Sequence, residues 1–262
     1  NIDIDGSTLV DNTQPTEYDQ QRPNFLFTAE MIRFINHTVA ELNSQRANKL
    51  PSISIGCEIS EVGTHLSKSS QLAAFMTGLR DEGNIPEHLY PTKVAIETGT
   101  AHGGKVNPDG TAAAMHVDFE QLQAISMIAR RKYGMAGAVQ HGASTLDKEV
   151  MQRFPKAETA EIHLSTGFQN TLMDHPAFPR ELLGKMYAWC EENCAKERKE
   201  TWTDAQFLIK TRKKAWGQFK KETWSLPAST QKKLYQALYD ECAAYYTALG
   251  VADSVRFLKS YL

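Results

Sequence analysis

The chain places a histidine followed by glycine at two positions, each after a short apolar run. In ETGTAHGG, His102 precedes two glycines, and in AVQHGAS, His141 precedes Gly142. A third apolar run, SISIGCE, ends on Glu58. Taken singly, each is as well explained by a turn or by a solvated carboxylate. Imidazole and carboxylate are nevertheless good zinc ligands, and a catalytic zinc site commonly has three protein ligands. Glu58, His102 and His141 are therefore predicted to bind one divalent metal.

Two further stretches could bind phosphate. GASTL spans residues 142–146 and STGFQ spans residues 165–169, and both combine glycine with hydroxyl side chains. In barrels built from β/α units, the loops after the last two strands often hold a phosphate group. Ordinary turns with a Ser or Thr helix cap explain each loop nearly as well on its own. The recurrence beside two His-Gly junctions favours the phosphate interpretation.

The elements that must position these residues alternate between strands and helices. Because helical crossovers join the strands, we expect a parallel sheet, either doubly wound or part of a (β/α)8 barrel. Chemistry-bearing residues at the ends of several different strands favour the TIM barrel. Glycines 83 and 134 are expected to end the helices that precede them. The predicted strands cover residues 1–5, 52–58, 93–99, 136–142 and 160–167, and the predicted helices cover residues 28–45, 69–83, 117–134 and 145–154.

Beyond Pro176 the pattern becomes helical, and all four tryptophans lie there. We therefore predict two parts: residues 1–176, the last five β/α units of a barrel, and residues 177–262, a helical C-terminal extension. The basic run KTRKKAWGQFKK at residues 210–221 is interpreted as a solvated helix face.

Composition excludes several classes of function. A formal net charge of −2 argues against nucleic-acid binding. The sequence lacks a run of about 18 apolar residues and a signal-peptide pattern, so no membrane association is expected. The four cysteines do not form a zinc-finger pattern and are expected to be reduced thiols of a cytoplasmic protein.

The ordered set of motifs resembles the class II, metal-dependent fructose-bisphosphate aldolases. The residues that carry the likeness are Glu58, HGG at 102–104, HGAST at 141–145 and HLSTGFQ at 163–169, preceded by NIDID at the start of the chain. The likeness covers roughly residues 1–176 and is nearest to a longer branch of the family that has a helical extension.

The resemblance implies a zinc-dependent enzyme, or one using another divalent metal, that splits fructose 1,6-bisphosphate in glycolysis and forms it in gluconeogenesis. The metal would polarise the ketose carbonyl and stabilise an enediolate. The resemblance also implies a homodimer or larger assembly. It assigns the metal to Glu58, His102 and His141, proton transfer to Asp3 and Glu61, and substrate or phosphate contacts to Gly103, Gly142, Ala143, Ser144, His163, Ser165 and Thr166.

Three departures accompany the likeness. The family has Asn and Asp where this chain has His163 and Ser165. An Asp-His pair, which in the family supplies a proton-transfer group and another metal ligand, occurs here only at Asp174-His175, where it is typical of a turn. We therefore expect an N-terminal portion with the first three strands to precede residue 1.

Two alternatives remain open at this stage. One is a non-catalytic, aldolase-like subunit that binds a sugar phosphate or serves a regulatory role. The other is a different TIM-barrel metalloenzyme, such as a hydrolase or an isomerase.

Overall fold

The computed structural model describes residues 1–61, 63, 65–101 and 103–259, so His102, a predicted metal ligand, lies outside the described residues. The described elements in chain order are β1 (Ile2–Ile4), α1 (Glu17–Ser44), β2 (Ile55–Glu58), α2 (Ser69–Asp81), β3 (Lys93–Ile96), β4 (Lys105–Val106), β5 (Ala112–Ala113), α3 (Phe119–Tyr133), β6 (Ala138–Gln140), α4 (Lys148–Met151), α5 (Arg153–Lys156), β7 (Glu161–Ile162), α6 (Thr166–Asp174), α7 (Arg180–Asn193), α8 (Asp204–Thr211), α9 (Ala215–Gln218), α10 (Lys220–Trp224), α11 (Ala228–Ala248) and α12 (Val255–Leu258).

The contacts divide the chain into two compact units that interleave along the sequence. The first unit comprises residues 1–100, 116–141 and 154–163, and the second comprises residues 101–115, 142–153 and 164–262. The second unit therefore takes in loops that follow β3, β6 and β7. The domain boundary that the sequence places at residue 176 stays a prediction.

The first unit is built on a five-stranded parallel sheet in the order β1-β2-β3-β6-β7. Each strand pairs with the next sheet strand along the chain, so the order never reverses. A doubly wound sheet requires such a reversal, which creates its binding crevice. Consecutive strands of a β/α barrel follow one another in sequence order. The topology is therefore α/β and compatible with part of a TIM barrel, as predicted.

Helix α1 differs most from its prediction, because it begins at Glu17 and not at residue 28. Thr16 caps it by accepting a hydrogen bond from the Asp19 amide at 3.1 Å. Pro23 lies inside this helix. The Phe25 ring, fully buried, fills the space left by Gly78 of α2.

The two predicted glycine caps have different outcomes. Gly134 follows α3 in the left-handed conformation, with φ of 66°, so this prediction is confirmed. Helix α2 ends at Asp81, and its left-handed position is filled by Asn84, with φ of 49°. The prediction that Gly83 caps α2 was therefore wrong, because the amide of Gly83 itself closes the last turn on the Gly78 carbonyl at 2.9 Å.

The second unit has a helical core. Its buried members share an apolar character and come from α6, α7, α9, α11 and the connection between α6 and α7; they are Met173, Phe178, Leu182, Leu183, Met186, Cys190, Ala215 and Leu234. The predicted helix at 145–154 is instead a 3-10 turn at Ala143–Thr145 followed by α4 and α5. Asp174 ends α6, and His175 begins the turn expected there, since its Nδ1 accepts the Ala177 amide at 3.0 Å.

The cysteines agree with the expectation of reduced thiols. All four are free, and Cys57, Cys190 and Cys194 are buried. Burial raises the pKa of the Cys190 thiol to about 11, which keeps it protonated and unreactive. In the part of the chain that the structure describes, no helix has the length and apolar composition to cross a bilayer.

Candidate functional site

One face of the five-stranded sheet is polar and the other apolar. The register aligns Asp3, Gly56 and Lys93 across three strands, and aligns Val139 with Glu161. Alternate residues of a strand point to the same face. The aligned positions therefore share one face with every second residue along each strand. The chemistry-bearing residues of that face are Asp3, Asp5, Glu58, Lys93, Glu97, His141, Glu161 and His163. The opposite face carries buried apolar side chains, among them Ile4, Cys57, Val94, Ile96 and Ala138.

Lys93 is a buried cation on this polar face. Its side chain is 4% exposed, and its ammonium lies 2.6 Å from Glu161 and 3.0 Å from Asp3. The two carboxylates are each about one-third exposed. The ammonium has three donors and no acceptor, so two carboxylates satisfy it well. Lys93 was not singled out from the sequence, although it lies at a multiple of two residues from Glu97 and therefore on the same face of the strand.

His163 joins this network and contacts His141. The Nε2 atom of His163 lies 2.6 Å from Glu161 Oε1 and 3.6 Å from Asp3 Oδ2. A carboxylate only accepts hydrogen bonds, so the Nε2 of His163 carries the proton. The two imidazole rings stack with centroids 4.4 Å apart. The structure therefore brings together a predicted metal ligand, His141, and a predicted substrate contact, His163.

Glu58 ends β2 as predicted and is 5% exposed. Burial, together with the negative charges of Asp5, Asp3, Glu61 and Glu97, raises the pKa of Glu58 to about 8. Among the residues that the structure describes, none donates a hydrogen bond to its carboxylate. In such surroundings the ionised form of a carboxyl group is unfavourable by itself. A bound cation would stabilise that form.

Glu97 is a further carboxylate that sequence analysis missed. It follows β3 directly and is 2% exposed. Its carboxylate accepts backbone amides from Gly63 at 2.6 Å and from Gly99. Gly99 has φ of 104°, which permits this turn. Glu97 is thus held by the backbone, and it adds negative charge near Glu58.

Among the described residues, one group has ligand atoms close enough to hold a metal: Asp3, Glu161 and His163, with atoms within 4.8 Å of one another. This group differs from the predicted set of Glu58, His102 and His141. The ammonium of Lys93 already lies within this group, and a divalent cation there would have to displace it. Glu58 and His141 lie on the same face of the sheet, on strands separated by β3.

In the second unit, the two predicted phosphate loops are joined by a direct contact. Ser144 Oγ accepts the Gly167 amide at 3.0 Å, and the Ser144 carbonyl accepts the Tyr245 hydroxyl at 3.2 Å. A Cβ atom on Gly167 would lie 2.2 Å from the Ser144 carbonyl oxygen. Only glycine allows this approach. Ser144 and Thr166 are thereby brought to one place, and Ala143, which precedes Ser144, is fully buried.

The glycine pair after His102 reaches the same region of the second unit. Gly103 and Gly104 have φ of 76° and 69°, a backbone conformation that favours glycine. A Cβ atom on Gly103 would lie 3.8 Å from Thr166 Oγ1, and one on Gly104 would lie 2.6 Å from Thr145 Oγ1. Gly142 is also left-handed, at 67°. Ser165 precedes α6 without a side-chain capping bond.

The two predicted proton-transfer residues have different surroundings. Asp3 lies within β1, bonded to Lys93. Glu61 is exposed and lines a small cleft of about 60 Å³ with Ser7, Ser60 and His65. The roles of both residues stay predictions.

The comparisons with known proteins identify similar folds and no family. No family profile and no curated protein matches the sequence. The fructuronate–tagaturonate epimerase UxaE of Cohnella laeviribosi is a similar structure, at 12% identity and a TM-score of 0.54 over 87% of this chain and 51% of its own. A structure assigned as a fructose-1,6-bisphosphate aldolase of Coccidioides immitis is 14% identical, with a TM-score of 0.41 over 84% of this chain and 61% of its own.

The YdjI aldolase of Escherichia coli K12 is 13% identical, with a TM-score of 0.38 over 83% of this chain and 57% of its own. The chain therefore spans between about half and three-fifths of the length of these structures. At 12% identity, the likeness to the epimerase shows the fold alone, and that fold agrees with the strand order of the first unit.

Proposed function

We propose that this chain carries the metal-binding and substrate-binding residues of a class II, metal-dependent aldolase acting on a ketose bisphosphate such as fructose 1,6-bisphosphate. The observation that carries the proposal is the polar face of the sheet, where His141 stacks on His163 and His163 bonds to Glu161. A carbon–carbon lyase of this type needs histidine and carboxylate ligands at strand ends, and this face offers both.

The residues present fit a divalent metal. Glu58 is buried among the carboxylates Asp3, Asp5, Glu61 and Glu97, which together make a strongly negative environment. Such an environment attracts a divalent cation, and imidazole from His141 suits zinc. Glu58 and His141, together with His102, are the proposed ligands. Bound there, the metal would act as a Lewis acid towards a substrate carbonyl.

The network of Lys93, Glu161 and His163 has a positioning role in this proposal. Glu161 fixes the protonation of His163 at Nε2, because a carboxylate can only accept. His163 in turn packs its ring on that of His141, which restricts the orientation of the proposed ligand. Residues that orient a metal ligand through a second hydrogen bond commonly tune metal affinity.

The proposal places the phosphate contacts in the second unit. Gly103, Ser144 and Thr166 belong to three separate loops that meet there. Gly142 and Ser165 lie on two of these same loops. Small residues and hydroxyls let backbone amides and O–H groups reach an anion.

An activity assay tests the proposal. The purified full-length protein, loaded with Zn²⁺, is expected to cleave fructose 1,6-bisphosphate, and treatment with a chelator should abolish cleavage until Zn²⁺ is returned. Sugar acids are assayed as further candidate substrates, because an epimerase shares the fold. Turnover of a sugar acid without aldol cleavage would contradict the aldolase proposal.

A non-catalytic sugar-phosphate-binding subunit is the second candidate. It is favoured by His163 and Ser165, which replace the Asn and Asp of the family that the sequence resembles. His163 is already engaged by Glu161 and His141 and is less free to contact a substrate. Binding of the bisphosphate with no turnover at any metal concentration would support this candidate over the aldolase.

A further inference from the structure

The sequence of the basic run at residues 210–221 suggested a solvated helix face. The structure shows that the run is not uniformly solvated. Arg212 is 2% exposed and makes two hydrogen bonds to the Asp174 carboxylate, at 2.5 and 2.8 Å. Lys214 is exposed and pairs with Glu197 at 2.5 Å. Lys210 donates to the Gly104 carbonyl oxygen. The charged side chains of the run therefore have different surroundings, and most of these side chains already have a partner.

Lys213 differs from Lys210, Arg212 and Lys214. In the part of the chain that the structure describes, its ammonium makes neither an ion pair nor a hydrogen bond. Its Nζ atom lies 3.6 Å from the position that a Cβ atom would take on Gly103. Thr166 Oγ1 lies 3.8 Å from that same position. The open space above Gly103 is thus flanked by a cation and a hydroxyl.

The charge around this space is positive. Burial lowers the pKa of Lys210, and the positive charges of Lys213 and Lys199 lower it further. Two carboxylates that precede this run, Glu197 and Asp204, are paired with Lys214 and Arg198. Lysines held this close without a shared carboxylate repel one another, and a bound anion would relieve the repulsion.

A second, independent feature points to a ligand at the same turn. Thr145 Oγ1 is buried and, among the described residues, finds no hydrogen-bond partner. It lies beside Gly104, 2.6 Å from the place of a Cβ atom on that residue. A buried polar atom without a partner is costly, and such atoms are commonly satisfied by a ligand or a water.

We propose that Lys213, with Thr166 and the Gly103–Gly104 turn, binds the phosphate group of a phosphate monoester. Lys213 contributes the charge-assisted contact, and Lys210 holds the turn in place while adding positive potential. The helical extension thereby adds a cation to the glycine and hydroxyl loops. Only the identification of this anion as a substrate phosphate rests on the proposed function, since binding of the anion itself requires neither metal nor turnover.

The test is calorimetric titration of the full chain with inorganic phosphate after chelator treatment. Wild-type protein is expected to bind phosphate, and Lys213→Gln should weaken binding about tenfold, as loss of one charge-assisted contact predicts. Lys213→Arg should retain most of the affinity. Lys214→Gln is the matched control, because the neighbouring lysine points to Glu197, and it should leave phosphate binding unchanged.

Two results would overturn this site. One is equal phosphate affinity of wild type and Lys213→Gln, with both folded by circular dichroism. The other is equally tight binding of acetate, which would show no preference for phosphate. Phosphate binding lost in Lys213→Gln without any aldol cleavage in wild type would contradict the proposed function and leave the site intact. Cleavage with an unchanged KM in Lys213→Gln would contradict the site alone.

Discussion

The imidazole of His163 stacks on that of His141 with ring centroids 4.4 Å apart, while its Nε2 lies 2.6 Å from the Glu161 carboxylate. A proposed metal ligand is thus positioned by a ring that is itself held by a carboxylate and, through that carboxylate, by the buried Lys93. Predictions about metal binding and stability depend on this chain of contacts.

Replacing Glu161 should leave the proposed metal ligand His141 in place but restrict its ring orientation less. In Glu161→Gln, His163 loses its carboxylate partner, and metal affinity should fall about tenfold, the lower end of the effect of losing such a supporting group. Competition of the protein with a chromogenic chelator measures the affinity. Glu158→Gln, a surface change on the same unit, is the control, and an equal loss in both variants would argue against a positioning role.

Replacing Lys93 should create a metal site where the structure now has an ammonium. In Lys93→Met, Asp3, Glu161 and His163 lose their cation, so the protein should unfold at lower urea and be less stable by about 3 kcal/mol, as for a broken buried ion pair. Added Zn²⁺ should recover part of that loss by binding the freed ligands. A variant that is as stable as wild type would contradict the assigned ion pair.

Stability of the metal-free protein should depend on pH through Glu58. Its pKa is raised from 4.5 to about 8 in the folded state, so between these values the native state keeps a proton that the unfolded chain has released. The unfolding free energy should therefore fall as pH rises through this window. Glu58→Gln should flatten this dependence and be the more stable protein at pH 8. Parallel pH profiles of both proteins in urea would contradict the assignment.

Ser144 provides a separate test of the phosphate loops. In Ser144→Ala, the Gly167 amide loses its acceptor, and the loop after β6 loses a hydroxyl that could donate to an anion. Affinity for the bisphosphate should fall severalfold, as for the loss of one hydrogen bond, with no change in bound metal. An unchanged KM for the bisphosphate would count against a phosphate contact from Ser144.

Some of this arrangement is predictable from the sequence, for local reasons. Strand ends at Glu58 and His141 follow from short apolar runs, and the parallel sheet follows from the helices between them. The left-handed Gly134 follows from its place after a helical pattern. Spacing by two along the strand predicted at residues 160–167 is also enough to place Glu161 and His163 on one face.

Other features depend on long-range packing that spacing does not encode. The approach of Ser144 to Gly167 joins loops that are distant in sequence, and Lys93 meets Glu161 across strands that are not neighbours in the sheet. The basic run at residues 210–221 has an ordinary helical pattern, yet Arg212 is buried on Asp174 and Lys213 faces Gly103. Only the packing of the helical extension gives Arg212 and Lys213 their different surroundings.

The central claim, a metal held by His141, is tested most directly by the zinc content of purified variants. His141→Ala should lose most of its bound zinc by atomic absorption while keeping its circular dichroism spectrum. His37→Ala, which removes an exposed histidine of α1, should keep the wild-type content. Wild-type zinc content in His141→Ala, with the loss occurring only in His163→Ala, would contradict this account and assign the metal to Asp3, Glu161 and His163.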